Sequence, residues 1–302
     1  MTSARVAIVF GGSGFLGHTV VQALVAKGYT VRVPTRDLNK AQDLKVLGAV
    51  GQVIPFLASI RSDASVALAV EGCDVAINLI GPLCEKNKKG ASLAPVETAA
   101  RLARLAKSAG VKHFVHISSL GQDRRAASCF AQTKVRGEEA VRAFFPSAVI
   151  FRPSLMFGPR DRFFTRLALM ARYWLFLPLL SGGVARFQPV YVGDVAAAIM
   201  VALSNPSAQG GTFDLVGPRT YSLRDLMLVT ARVMNKKCIL FPVPVWLARA
   251  VVKLLSLLPS PPLTREHIDL LLTDSLSRDG SALPQWGITP APLEDILPTY
   301  LC

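Results

Sequence analysis

Val6-Ala7-Ile8-Val9-Phe10-Gly11-Gly12-Ser13-Gly14-Phe15-Leu16-Gly17 stands near the start of this 302-residue chain, and its reading decides the fold. The first five residues are apolar and rich in β-branched side chains, the signature of a buried strand. From Phe15 the spacing turns helical, predicting a helix over 15–26. The glycines between them meet separate needs: a tight turn, close approach of backbone to a pyrophosphate, and packing of the helix against the sheet. Exposed N–H groups at such a helix start favour phosphate oxygens. Gly11, Ser13, Gly14, Phe15, Leu16 and Gly17 are therefore candidate contacts for a dinucleotide.

Outward from this junction the pattern repeats. Short apolar runs at 30–34, 53–56, 75–80, 114–117 and 148–151 read as strands, and 62–70, 93–109 and 131–144 as helices. Strand–helix alternation of this kind predicts an α/β, doubly wound parallel Rossmann sheet. Residues 1–160 are read as the dinucleotide-binding domain. After Gly158 the rhythm changes, and 161–302 is expected to form a smaller C-terminal lobe. Within it, a strand at 188–192 and a helix at 194–204 suggest that 188–205 rejoins the first domain. The closing stretch, with Pro284, Pro290, Pro292 and Pro298, reads as an extended surface segment.

The composition, 51% hydrophobic and 18% charged, allows a substantial core. A formal charge of +14 calls for an acidic partner. The cations are scattered and no nucleic-acid motif accompanies them, so a membrane or protein partner is expected rather than DNA or RNA. Five cysteines and four histidines stand at no ligand or redox spacing, which predicts a reducing compartment and no metal. The apolar stretches at 173–185 and 238–248 contain proline and fall short of the roughly 20 residues of a spanning helix. The chain opens almost directly into a strand, so no targeting peptide is expected within it, although a cleaved one would leave no trace. Trp174 with Arg166 and Arg172, and Trp246 with Arg249 and Lys253, form basic aromatic segments. Arg249, Lys253 and Ser256 share one helix face, with Val251, Leu254, Leu255 and Leu258 largely elsewhere. That pattern suits a helix on a membrane surface or a partner, and equally one facing the core.

The second strand ends in Pro34-Thr35-Arg36-Asp37. An acidic residue there accepts from the ribose hydroxyls of NAD, whereas an arginine pairs with the extra phosphate of NADP. Arg36 comes first, so NADPH is the expected cofactor.

Ser118-Ser119 at a strand end, Lys134 downstream and Arg152-Pro153 after a later strand resemble the extended and atypical short-chain dehydrogenase/reductases. In that family a serine and a Tyr-x-x-x-Lys pair on one helix face form the active site. The ammonium lowers the phenol pKa, and the phenol exchanges a proton as hydride moves. Here Phe130 stands four residues before Lys134. A phenyl ring has no exchangeable proton, and losing a general acid costs roughly two to four orders of magnitude in rate. The five tyrosines, Tyr29, Tyr173, Tyr191, Tyr221 and Tyr300, all lie elsewhere in the sequence. No catalytic residue is therefore expected. By resemblance, Lys134 would hold the nicotinamide ribose, Ser118 would orient a ligand, and Pro153 would line the cofactor.

Residues 75–81, 188–195 and 213–218 with Tyr221, together with Phe157-Gly158, Asp161-Arg162-Phe163 and Phe241-Pro242-Val243-Pro244, narrow the match. In this order they resemble the NADPH-binding accessory subunits of respiratory complex I, the mitochondrial NADH:ubiquinone oxidoreductase. The resemblance runs from position 6 to about 289. It implies a stably held NADPH against Gly11, Gly14, Gly17, Arg36 and the Asn78-Leu79-Ile80-Gly81 segment, with other complex I subunits as partners. It also implies a peripheral place on the matrix side of the inner membrane, where contact with anionic lipid would use the basic surface. Ser59 stands where relatives carry an aspartate near the adenine. Two alternatives stay open: an active NADPH-dependent reductase or epimerase on a small metabolite, and a free nucleotide-sensing regulator.

Overall fold

The computed structural model describes residues 5–81, 86–87, 90–91, 94–120, 129–255 and 265–301. Its centre is a seven-stranded parallel sheet. In chain order the strands are β1 (Val6–Phe10), β2 (Thr30–Thr35), β3 (Val53–Leu57), β4 (Val75–Asn78), β5 (His113–Ile117), β6 (Val149–Pro153) and an edge strand, Thr212–Leu215. We number the edge strand β8, leaving β7 for Phe176–Leu180 in the lobe. Across the sheet they run β8-β6-β5-β4-β1-β2-β3. The order reverses between β1 and β4, and α/β sheets bind ligands in the crevice at such a reversal.

Alternation of side chains along each strand separates two cores. Ala7 and Val9 of β1 face α1 (Phe15–Ala26) and α6 (Val192–Ser204), whereas Ile8 and Phe10 face α2 (Asp63–Val70), α3 (Ala94–Ser108) and α4 (Cys129–Phe144). Strand residues such as Ile8, Val9, Ala76 and Ile77 are wholly buried, which is why these runs are continuously apolar. A third core lies in the lobe, where α5 (Phe163–Tyr173) and α7 (Leu223–Val233) pack with Leu177, Leu179 and Phe187. In the lobe β7 pairs in parallel with β9 (Ile239–Val243), which leads through Pro244 into α8 (Val245–Leu255).

Two sequence expectations change. The sequence pattern assigns everything beyond Gln209 to the lobe, but β8 closes the edge of the main sheet, with Phe213 beside Phe151 of β6. The four residues of Thr212–Leu215 are too short to show a period, and only the ladder reveals them. The prolines at the end also mislead. Trp286 packs edge-on against Phe151 and Phe213 at 5.5 and 4.7 Å, and Leu283, Leu293 and Leu297 are buried. The closing stretch is thus a packed strap and not an extended surface segment; its prolines start a 3-10 turn (Pro284–Trp286) and α10 (Leu293–Ile296) and α11 (Pro298–Leu301). Among the described residues no helix is long and apolar enough to cross a membrane.

Candidate functional site

The glycine loop sits at the carboxyl end of β1, beside the reversal. Gly11 has φ +84, a conformation costly for any side chain. A Cβ on Gly17 would lie 2.3 Å from the carbonyl oxygen of Gly11 and 2.5 Å from that of Gly12, so only glycine lets α1 start this close to the turn. Ser13 and Gly14 are exposed, Phe15 is half-buried and Leu16 is buried. Gly14 caps α1 without a side-chain hydrogen bond, and the first turn has no acidic residue. The first-turn N–H groups and the positive end of the helix thus face an open mouth with no competing carboxylate, a cradle that fits a pyrophosphate.

Arg36 is exposed directly after β2. The hydroxyl of Thr35 accepts from the Asp37 N–H at 3.2 Å, and Asp37 in turn accepts from the Asn39 N–H at 3.0 Å. Asp37 is occupied in its own turn, and Arg36 is left projecting at the strand end. Nearby, Arg160 (φ +75) crosses from the β6–α5 connection to pair with Asp43 at 2.7 Å. His18, just past Gly17, lies within the field of both; burial and then Arg160 hold its imidazole pKa below the usual value.

On the other side of β1, strand β4 ends at Asn78, short of the expected 75–80, because its buried side chain turns the chain. Its Oδ1 accepts from the Ile80 N–H at 3.0 Å, and its amide nitrogen meets His116 Nδ1 of β5 at 3.0 Å. With the amide donating, His116 Nδ1 accepts and the ring proton sits on Nε2. Burial, reinforced by the nearby Lys134 charge, drops the His116 pKa to about 3, so it stays neutral. The turn is further fixed by the Leu79 N–H donating to Phe10 at 3.0 Å. A Cβ on Gly11 would lie 3.4 Å from the Leu79 carbonyl carbon, so Asn78–Gly81 and the glycine loop abut across the switch point.

Lys134 completes this wall. The lysine is half-buried along its stem, and its ammonium sits where a Cβ on Gly81 would come within 2.8 Å. Desolvation lowers its pKa to about 8, partly offset by Glu138 one turn along α4. Glu138 receives a two-pronged bond from Arg152 of β6, 3.0 Å from Nε and 2.5 Å from Nη2. That pair locks α4 onto β6. Ser118 is buried at the end of β5, its N–H donating to Phe151 at 2.8 Å, and the Leu120 N–H donates to the buried Pro153 at 2.9 Å. The structure therefore gathers Asn78, Gly81, Ser118, Lys134 and Pro153 at the carboxyl ends of β4, β5 and β6.

Phe130 is the second residue of α4, one turn before Lys134. No tyrosine moves in from elsewhere to replace it. Tyr29 lies under Arg5, with the guanidinium 4.5 Å from its ring. Tyr191 packs on Phe157 with ring centres 5.9 Å apart, Tyr221 donates to Glu294 at 2.8 Å, Tyr300 donates to Asp161, and Tyr173 is exposed at the end of α5. Among the described residues no cluster of histidine, cysteine and carboxylates has metal-binding geometry. Sequence reading missed His116, Glu138 and the Arg160–Asp43 bridge. Only a histidine inside the apolar run 114–117 hinted at the first.

A switch-point sheet with this glycine loop defines a Rossmann-type protein of the short-chain dehydrogenase/reductase kind. The model of the NAD dependent epimerase/dehydratase family matches residues 7–216, and the chain belongs to that family. It is 36% identical to the Rattus norvegicus protein named NADH dehydrogenase [ubiquinone] 1 alpha subcomplex subunit 9, mitochondrial, over 97% of this chain and 78% of that one. It is 30% identical to a ceramide reductase from Caulobacter vibrioides, over 80% of this chain and 75% of that one. The fold resembles that of a Thermus thermophilus UDP-glucose 4-epimerase, solved with NAD, at a TM-score of 0.74 and 17% identity over 98% of both chains.

Proposed function

We propose that this chain is a non-catalytic accessory subunit of respiratory complex I, which binds NADPH as a structural element and supports the peripheral arm at the membrane. One observation carries the reading: a glycine loop at the switch point that suits a dinucleotide stands in the same chain as Phe130, where the family's enzymes carry the proton-donating tyrosine. Gly11, Gly14 and Gly17 hold the pyrophosphate and Arg36 the 2′-phosphate. Ser13, Phe15, Leu16 and the Asn78–Gly81 turn line the path between them and the nicotinamide, and Lys134, with Ser118 and Pro153, takes the nicotinamide ribose. Bound NADPH supplies hydride chemistry in the family's enzymes. Phe130 gives such chemistry no proton at the position that needs one. The rat relative's name supports complex I subunits as partners. A peripheral site on the matrix face of the inner membrane, or the cytoplasmic face of a bacterial one, with contact to anionic lipid, follows from the same reading.

The ceramide reductase relative favours a second reading, an active NADPH-dependent reductase. Both are tested by tagging the protein, resolving the cell's membranes on a native gel and identifying bound nucleotide by mass spectrometry. Co-migration with complex I activity and one NADPH per chain is the expected result. A free species that exchanges nucleotide readily and turns over substrate would replace the subunit reading with the enzyme.

A further inference from the structure

The lobe carries an apolar surface that the fold does not use. In the β7–β9 ribbon, Leu177 and Leu179 turn into the third core, and Phe176 and Pro178, which alternate with them, lie on the other side. Phe176 and Ile239 are register partners on that outer side and are 55% and 51% exposed; Phe241 beside Pro178 is exposed too. The ribbon passes through Pro244 directly into α8, which divides into three strips at about 100° per residue. Val252 is buried, with Val245 and Ala248 half-buried on the same side. The opposite side is Trp246, Leu247, Ala250, Val251 and Leu254, with Trp246 71% and Leu254 70% exposed. Between the two strips lie Arg249 and Lys253. One strip of this helix thus faces the protein while the opposite strip stays exposed; Ser256 and Leu258 lie outside the described residues.

The two segments that build this surface carry charge of one sign. Residues 163–180 and 236–255 contain no carboxylate and six cations: Arg166, Arg172, Lys236, Lys237, Arg249 and Lys253. Among the described residues Asp269 of α9 (Arg265–Leu271) reaches in, and it is paired with Arg249 at 3.1 Å. Exposed tryptophan and aliphatic side chains with cations along one edge match the layering of a bilayer boundary, where apolar groups enter the acyl region and ammonium and guanidinium groups meet phosphate. A protein partner would need a hydrophobic patch matched in shape and carboxylates matched in position. A fluid anionic surface meets both demands without either.

We propose that the outer face of the β7–β9 ribbon and the Trp246–Leu254 strip of α8 form a docking surface for an anionic lipid bilayer. The proposal rests on the peripheral membrane placement above and names the face that makes the contact. The test is flotation of the full chain with vesicles of phosphatidylcholine alone or of phosphatidylcholine with phosphatidylglycerol. The expected result is binding to the anionic vesicles, weakened by salt, and little to the neutral ones. Trp246→Ser with Leu254→Ser, and separately Phe176→Ser with Phe241→Ser, should each weaken it at least about tenfold. These side chains are exposed, so unchanged melting curves identify variants that still fold. No binding by the wild type, or binding unaffected by both pairs, overturns the proposal. So does attachment only to membranes whose proteins are intact, which would make this face a protein interface. Co-migration on the native gel is read separately, so a failure here leaves the subunit reading standing.

Discussion

Lys134 shows most directly how the site sets function against stability. Its ammonium is enclosed beside Gly81, and the pKa falls from 10.5 to about 8. The sign follows from linkage: the folded state resists the proton, so the favourable contribution is complete above about 10.5 and lost as pH falls through about 8. Lys134→Met should therefore stabilise the empty protein at pH 7 by about 1–3 kcal/mol, and the gap should close as pH rises past the unfolded value. The same variant should hold NADPH less well. Denaturant titrations at pH 7 and 10.5 check the first part and fluorescence titration the second; destabilisation at both pH values would mean the ammonium is well solvated where it sits. Arg36 answers a different question. As a charge-assisted partner of a phosphate it is worth about 1.5–3 kcal/mol, so Arg36→Glu should weaken NADPH by roughly ten- to a hundredfold and NADH much less. An equal loss for both nucleotides would remove Arg36 from the 2′-phosphate.

At the scale of elements, α4 matters because it must present Lys134 to the end of β4 from across the sheet. Arg152 of β6 holds it there through Glu138, whose side chain is only 8% exposed. Arg152→Met leaves that carboxylate without its bidentate partner and should cost about 2–3 kcal/mol, reduced from a fully buried pair because Arg152 is partly exposed. Adding Glu138→Gln should restore much of the loss, since no unpaired charge then remains. Chemical denaturation of the single and double variants decides it, and a double variant as unstable as the single would show that packing, not charge, fixes α4. This pairing was not legible in the sequence, where the two residues stand on different elements fourteen positions apart. The glycine loop was legible because its residue types serve one local geometry. So were β1 and β4, whose burial on both faces writes a continuous apolar run. Asn78 was visible only through resemblance, and its bond to His116 depends on the β4–β5 register, which no local pattern encodes. The outward strip of α8 was undecidable for the same reason, since amphipathicity does not say which side meets the protein.

Across the whole molecule, the sheet and the lobe have separate cores joined by a strap. The chain's end packs Trp286 onto the sheet's edge and then carries Leu293 and Leu297 into the lobe, where both are buried. Polar bonds fasten the same segment: Glu294 accepts from Tyr221, whose pKa is pushed up to about 12 by burial and that carboxylate, and Tyr300 donates to Asp161, the residue that caps α5 through the Phe164 N–H at 2.6 Å. Deleting 293–302 would strip two buried leucines and the Asp161 partner from the third core while leaving Trp286 in place. The loss is about 3–6 kcal/mol, comparable to the entire stability of a small domain, and it falls on the lobe. Hydrogen exchange on the truncated protein should find amides of α5 and α7 opening while β1, β4 and β5 stay protected. Because the glycine loop, Arg36 and Lys134 all belong to the sheet side, NADPH should remain bound to the truncated chain, though the β7–β9 ribbon would no longer be held for the membrane. If nucleotide is lost together with the lobe, the two cores fold as one unit, and the strap holds the cradle as much as the docking face.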